Sequence, residues 1–161
     1  MIVVSNSSPL IGLSAIRKLE LLKSLYITIY VPKIIYDEIA GTGETRVGAD
    51  EIKNALWIEK RKVSLPKIDE LSTQNGLGRG ETAALILAQE LNADLLIIDD
   101  LKARKNAQTQ NQAIIGILGI FLLAKSQNLI SEVRGHLDDL IFFGYWISPN
   151  LYRKVLESVG E

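Results

Sequence analysis

The chain has 161 residues, a net charge of −1 and no cysteine. Its length fits one domain with a real core, and the missing cysteine excludes a disulfide framework or a thiolate zinc site. Near-neutral charge argues against a protein held to nucleic acid by bulk positive charge, and no apolar run is long enough to span a bilayer.

The apolar start lacks a basic n-region and is broken by Ser5-Asn6-Ser7-Ser8-Pro9. No export signal is therefore expected, and a cytoplasmic location is. Short β-rich runs alternate with helical patterns, the mark of βαβ units and a parallel sheet. Residues 2–5 read as a first strand. Ser7 or Ser8 then caps a helix with Pro9 in its first turn and a stripe of Leu10, Leu13 and Ile16. Residues 27–31 read as a second strand, rich in β-branched side chains. Pro32 opens a helix carrying Ile34, Ile35 and Ile39 that ends at Gly41.

Residues 41–48 read as a loop and 49–56 as a short helix. Residues 57–63 alternate and include Lys60, Arg61 and Lys62, as suits an edge strand with a solvated end. The stretch 66–79 is polar and has no predicted element; by sequence, 75–80 is the most flexible part of the chain. Residues 81–91 form a helix whose small face, Ala83, Ala84, Leu87, Ala88 and Leu91, suits close packing on a sheet. Residues 95–98 are wholly apolar, as in a central parallel strand. A basic helix over 101–108, a fifth strand at 113–115 and apolar helices over 117–126 and 131–143 follow. Ser148-Pro149 starts a last helix with Leu151, Val155, Leu156 and Val159 on its apolar face. With no repeat or internal boundary, residues 1–161 read as one domain.

Polar side chains fall where such a sheet gathers them. Asn6 lies just past the first strand, where it either caps the next helix or offers an amide oxygen to a cation. Ser8 is another cap or a donor to a bound group. Glu38 sits on the margin of the stripe set by Ile35 and Ile39, on the crevice side, while Asp37 points to water. Glu81 opens the small-residue helix; the helix dipole favours an acid there, and packing through alanines draws that turn to the sheet edge. Asp99-Asp100 ends a buried strand, and a single helix cap would need only one of the two.

Open parallel sheets bind ligands outside the carboxyl ends of their strands, and acids converging there need a hard cation, Mg²⁺ or Mn²⁺. Lys102, Arg104 and Lys105 either screen these acids or bind substrate phosphate. The glycine-rich run before Glu81 matches neither a P-loop nor a dinucleotide fingerprint. His136 is the only histidine and reads as a surface or packing residue, so Ser-His or Cys-His catalysis has no support. Trp57 and Trp146 read as core or interface aromatics and not as a base-stacking platform.

Four segments in order carry a resemblance: Val3-Val4-Ser5-Asn6-Ser7-Ser8-Pro9-Leu10-Ile11; Val31-Pro32 through Tyr36-Asp37-Glu38; Gly78-Arg79-Gly80-Glu81-Thr82-Ala83-Ala84; and Leu96-Ile97-Ile98-Asp99-Asp100 through Arg104. Together they resemble the PIN-domain superfamily, most of all its small prokaryotic nucleic-acid-binding or toxin-like members. The resemblance implies a three-layer α/β/α fold on a parallel sheet of about five strands and a Mg²⁺- or Mn²⁺-dependent endoribonuclease. It implies a metal set of Asn6, Glu38, Glu81, Asp99 and Asp100, with Glu38, Glu81, Asp99 and Asp100 catalytic. Ser8, Lys102, Arg104 and Lys105 are expected to bind the RNA substrate.

Many relatives of this kind are toxins of toxin–antitoxin pairs, often dimers inhibited by a small antitoxin chain. One departure stands out: Asn6 takes the place of the usual first Asp, which removes a negative charge from the site. An attenuated PIN-like domain that binds RNA or protein is therefore the alternative. A phosphate-accepting receiver domain would leave Glu38 and Glu81 without a role. Phe142, Phe143 and Trp146 are hard to bury near the chain's end and suggest a homodimer or a surface for a partner chain.

Overall fold

The computed structural model describes residues 1–41 and 47–161. Five parallel strands form one sheet in the order β3-β2-β1-β4-β5. They are β1 (Val3–Ser5), β2 (Ile29–Pro32), β3 (Ile58–Arg61), β4 (Leu95–Ile97) and β5 (Ile114–Ile115). Val3, Val4, Leu96 and Ile97 are fully buried, which is why these central strands are apolar without alternation. Val4 registers with Leu96 and Ser5 with Ile97.

The chain leaves β1 towards β2 and β3, then returns through β4 to β5 on the other side. Right-handed crossovers place α1 (Ser7–Ala15), α2 (Glu20–Tyr26), α3 (Lys33–Ala40) and α4 (Ala49–Asn54) on one face. They place α5 (Leu65–Asn75), α6 (Arg79–Glu90) and α7 (Leu101–Thr109) on the other. Helices α8 (Ile117–Ser126) and α9 (Arg134–Phe142) pack on α1, and α10 (Pro149–Ser158) closes the chain. The result is a three-layer α/β/α fold, as expected. The strand order reverses between β1 and β4, so the crevice outside their carboxyl ends is the switch point where such sheets bind ligands.

Helix α6 crosses β1, β2 and β4 and is buried on every side from Thr82 to Ala88. Its outer side is covered by α5, whose Ile68 packs with Ala83 and Ile86. This corrects the expectation of an unstructured 66–79. Ser64 caps α5 by accepting from Lys67 N–H, Pro66 occupies its first turn, and one buried residue, Ile68, anchors an otherwise polar helix. Segment 75–80 is tied down as well, by Ser72 to the Leu77 carbonyl at 2.6 Å and Lys102 to the Gly76 carbonyl at 3.0 Å.

Helix α2 was not expected from the sequence and covers the core with Leu21 and Leu22. The second strand begins at Ile29 and not at 27, because Ile27 adopts φ 69° in a tight turn. At the sheet edge, Lys60 and Arg61 lie over the rings of Tyr36 and Tyr30. The loop expected over 41–48 lies largely outside the described residues.

Candidate active site

Asn6 stands at the N-cap of α1 and makes no capping hydrogen bond. Its backbone N–H is tied to the Ile97 carbonyl at 3.0 Å, which locks the end of β1 to the end of β4. The side chain is 1% exposed, and neither Oδ1 nor Nδ2 has a hydrogen-bond partner. A methyl group on Gly80, in the first turn of α6, would lie 3.8 Å from Oδ1 and 3.7 Å from Ile35. The amide is thus enclosed where β1, α3 and the start of α6 meet. Burying a polar group with no partner costs free energy, so this position reads as built for a bound group.

Asp99 follows the end of β4, the strand that pairs with β1. Helix α8 opens with Gly116, which has no side chain to cap it, and Asp99 supplies the missing acceptor. Its Oδ1 takes the Ile117 N–H at 2.9 Å. Oδ2 is buried and has no partner. Burial pushes the Asp99 carboxyl above its usual pKa, opposed by the Ile117 N–H, the Tyr145 hydroxyl and the Arg104 charge. Tyr145 faces the carboxyl without a regular hydrogen bond, and burial raises its own pKa steeply.

A methyl group on Gly116 would lie 2.6 Å from Asp99 Oδ1 and 2.8 Å from Arg104 Nη1, so only glycine admits this close approach. Arg104 donates to the Ile98 carbonyl at 2.9 Å, which fixes its charge beside Asp99. That is the screening position. Asp100 caps α7 through Ala103 N–H at 2.8 Å. Each acid of the pair therefore caps a helix, and Asp99 alone keeps a free oxygen inside the crevice.

Glu81 is half-buried at the third position of α6, with its carboxylate folded back against the N-cap Gly78, the place a capping-box acid takes. Glu38 is exposed and opens into a cavity of about 640 Å³ shared with Lys33, Asp37, Lys62 and Arg79. Asp37 is exposed, as expected, lines the same cavity and pairs with Lys33. Ser8 and Lys105 are exposed, and Lys102 is committed to the Gly76 carbonyl. His136 is half-buried against Phe121, away from the crevice. Sequence reasoning missed Tyr145 and Gly116. An apolar helix beginning with glycine, with no capping side chain of its own, was the available signal for a remote cap.

The donors at the switch point suit a hard cation. Both orphaned acceptors, Asn6 Oδ1 and Asp99 Oδ2, are oxygens. Among the described residues no three acidic or histidine side chains converge on one point. The expected convergence of Glu38, Glu81, Asp99 and Asp100 is thus not seen among the described residues.

An α/β protein with buried oxygen donors at its sheet switch point is the class that this fold and site define. A family model described as PIN domain matches residues 2–161, and the chain belongs to that family. The fold is of nuclease type; PIN domains are generally nucleases and typically depend on a divalent metal. No curated protein matches the chain. No helix among the described residues is long and apolar enough to cross a membrane.

Proposed function

We propose that the chain is a divalent-metal-dependent endoribonuclease. The observation that carries this reading is the pair of buried, unpartnered oxygens on Asn6 and Asp99 at the switch point. Asn6 and Asp99 would hold Mg²⁺ or Mn²⁺, with Glu81, Glu38 and Asp100 nearby along the carboxyl edge. When bound, such a cation neutralises charge developing on the phosphodiester and makes a water acidic enough to attack it.

The chain's own groups do the rest. The Ile117 N–H fixes Asp99 Oδ1, so Oδ2 keeps one direction. Asn6 Nδ2 is a donor with no partner, suited to a non-bridging phosphate oxygen. Arg104 balances the charge of Asp99 from its anchored position, and the N-termini of α1 and α6 add positive potential at the same edge. Glu81, in the first turn of α6, would accept the proton of an attacking water. Ser8 and Lys105 lie exposed where they can meet the RNA strand.

Cleavage of a panel of RNAs with Mn²⁺ or Mg²⁺ tests the reading, comparing the native chain with Glu81→Gln and Asp99→Asn. Activity that survives both substitutions, or persists in chelator, would overturn it. A toxin role with a small antitoxin chain belongs to the same reading. For the dimer in that reading, the support is the apolar surface at and after the end of α9, where Phe142 is 83% and Trp146 80% exposed, which we assign to a second copy of the chain. Light scattering across a concentration range that finds only monomer would remove the dimer.

A further inference from the structure

Beside the Asn6–Asp99 crevice lies a smaller pocket, of about 280 Å³. Ile11 and Ala15 of α1 form one wall and Phe143 and Tyr145 the other, with Leu140 as floor and Ser8 at the rim. We propose that this pocket receives one unpaired nucleobase of the RNA whose phosphodiester occupies the crevice. The proposal rests on the nuclease reading and adds a base subsite to it.

The pocket and the crevice share parts. Tyr145 lines the pocket while its hydroxyl faces Asp99. Ser8, two residues beyond Asn6 in the first turn of α1, lines the pocket's exposed side. A group in the pocket is therefore joined to one in the crevice by a short covalent span, as a base is to its own phosphate.

The chemistry of the walls selects the occupant. Among the described residues no charged side chain lines the pocket, and none of them offers a counter-charge to a phosphate or a cation. Two aromatic rings, aliphatic side chains and one hydroxyl suit a flat, neutral ring with polar edges. Bases stack on such rings with little regard to sequence. The volume is at the small end of ligand pockets, which start at about 300 Å³, so it holds one base and no run of stacked bases. A base paired in a duplex could not enter.

The wall is also fixed in place. Helix α9 ends in a left-handed turn at Gly144, φ 92°, where Gly144 N–H bonds the Ile141 carbonyl and Tyr145 N–H the Leu140 carbonyl. Only glycine takes that conformation cheaply. The turn carries Tyr145 back towards Asp99 and leaves Phe143, 47% exposed, beside the opening.

The test has two arms. In the first, adenosine and uridine are titrated into the native chain without metal, with amide shifts followed by NMR. Shifts that saturate at Gly144 and Tyr145 are expected, lost in Ala15→Phe, which fills the pocket, and weakened about tenfold in Phe143→Ala. In the second, an RNA that the protein cuts is remade with a single abasic nucleotide at each position in turn. One register beside the cut should slow cleavage about tenfold, and Ala15→Phe should abolish that dependence.

Nucleoside shifts absent or centred elsewhere, or a flat abasic scan on a cut RNA, overturn the proposal. If no RNA is cut, the nuclease reading fails and the nucleoside arm alone decides the pocket. Should Phe143→Ala leave nucleoside shifts intact yet halve the mass in light scattering, Phe143 belongs to a contact between copies and the proposal falls. Phe143→Ala also serves where Ala15→Phe does not fold.

Discussion

Asp99 Oδ1 accepts the backbone N–H of Ile117 at 2.9 Å, across 18 residues of chain. One carboxylate thereby starts a helix with one oxygen and offers the other to the crevice. Structure and chemistry meet in a single side chain, and they can be separated by choosing the substitution.

Asp99→Asn keeps an oxygen for the Ile117 cap and removes the charge. It should leave stability within about 1 kcal/mol and lower RNA cleavage by at least about 10²-fold. Gly116→Ala keeps the charge and pushes a methyl group into Asp99 Oδ1 and Arg104 Nη1. It should cost about 1–3 kcal/mol in urea unfolding and lower activity as well. A Gly116→Ala protein with native stability would mean that this close approach does not exist.

Asn6→Asp restores a carboxylate at the end of β1. A second charge beside Asp99 strengthens attraction for a divalent ion and adds repulsion when no ion is present. Calorimetric titration should show Mn²⁺ binding at least about tenfold tighter, together with lower stability in chelator. Unchanged Mn²⁺ affinity would place the ion away from Asn6.

Ile27 holds φ 69° in a γ-turn closed by Thr28 N–H to the Tyr26 carbonyl at 2.7 Å, and its side chain is 78% exposed. A β-branched residue is strained there and buries little in return. Ile27→Gly should raise stability by about 1 kcal/mol, the relief exceeding the entropy lost with glycine. A lower urea midpoint for the variant would contradict this account.

Glu161 gathers hydrogen bonds from Lys125 Nζ at 2.8 Å and from the backbone N–H groups of Val133 and Arg134. Lys125 first, then the two amides, pull its pKa down from 4.5 to about 2. A depressed pKa stabilises the fold at pH values above the unfolded one and loses that contribution as pH falls from 4.5 towards 2. The stability gap between the native chain and Glu161→Gln should be full near neutrality and shrink through that acidic window. A pH-independent gap in urea titrations would show that charge plays no part.

Much of this was legible in the chain. Strand ends announce themselves because a buried parallel strand is apolar throughout, so Asn6 and Asp99 stand out where Val3-Val4-Ser5 and Leu96-Ile97-Ile98 stop. Helix α6 was readable from its alanines. Helix α5 was not, because its outer face is polar and the sequence shows no apolar stripe; it folds around a cap, a proline and Ile68. Asp100, expected as a possible ligand, also caps α7 through Oδ1, a role any Asp at a strand-to-helix turn can take. Tyr145 escaped notice because nothing local ties a tyrosine after an α9 turn to an acid at the end of β4. Patterns of period two or 3.6 report neighbours along the chain, and both Asp99 contacts are made across the fold.

The remote cap has a consequence for how the molecule is made. Domains are synthesised from the N-terminus onward, and Asn6 leaves the ribosome before Asp99, Ile117 and Tyr145. Asp99 gains its orientation only when Ile117 has docked, and its tyrosine neighbour arrives later still. The acid at the crevice therefore stays unaligned through most of translation. On the nuclease reading proposed above, the site would stay incomplete until Ile117 and Tyr145 have emerged and docked beside Asp99.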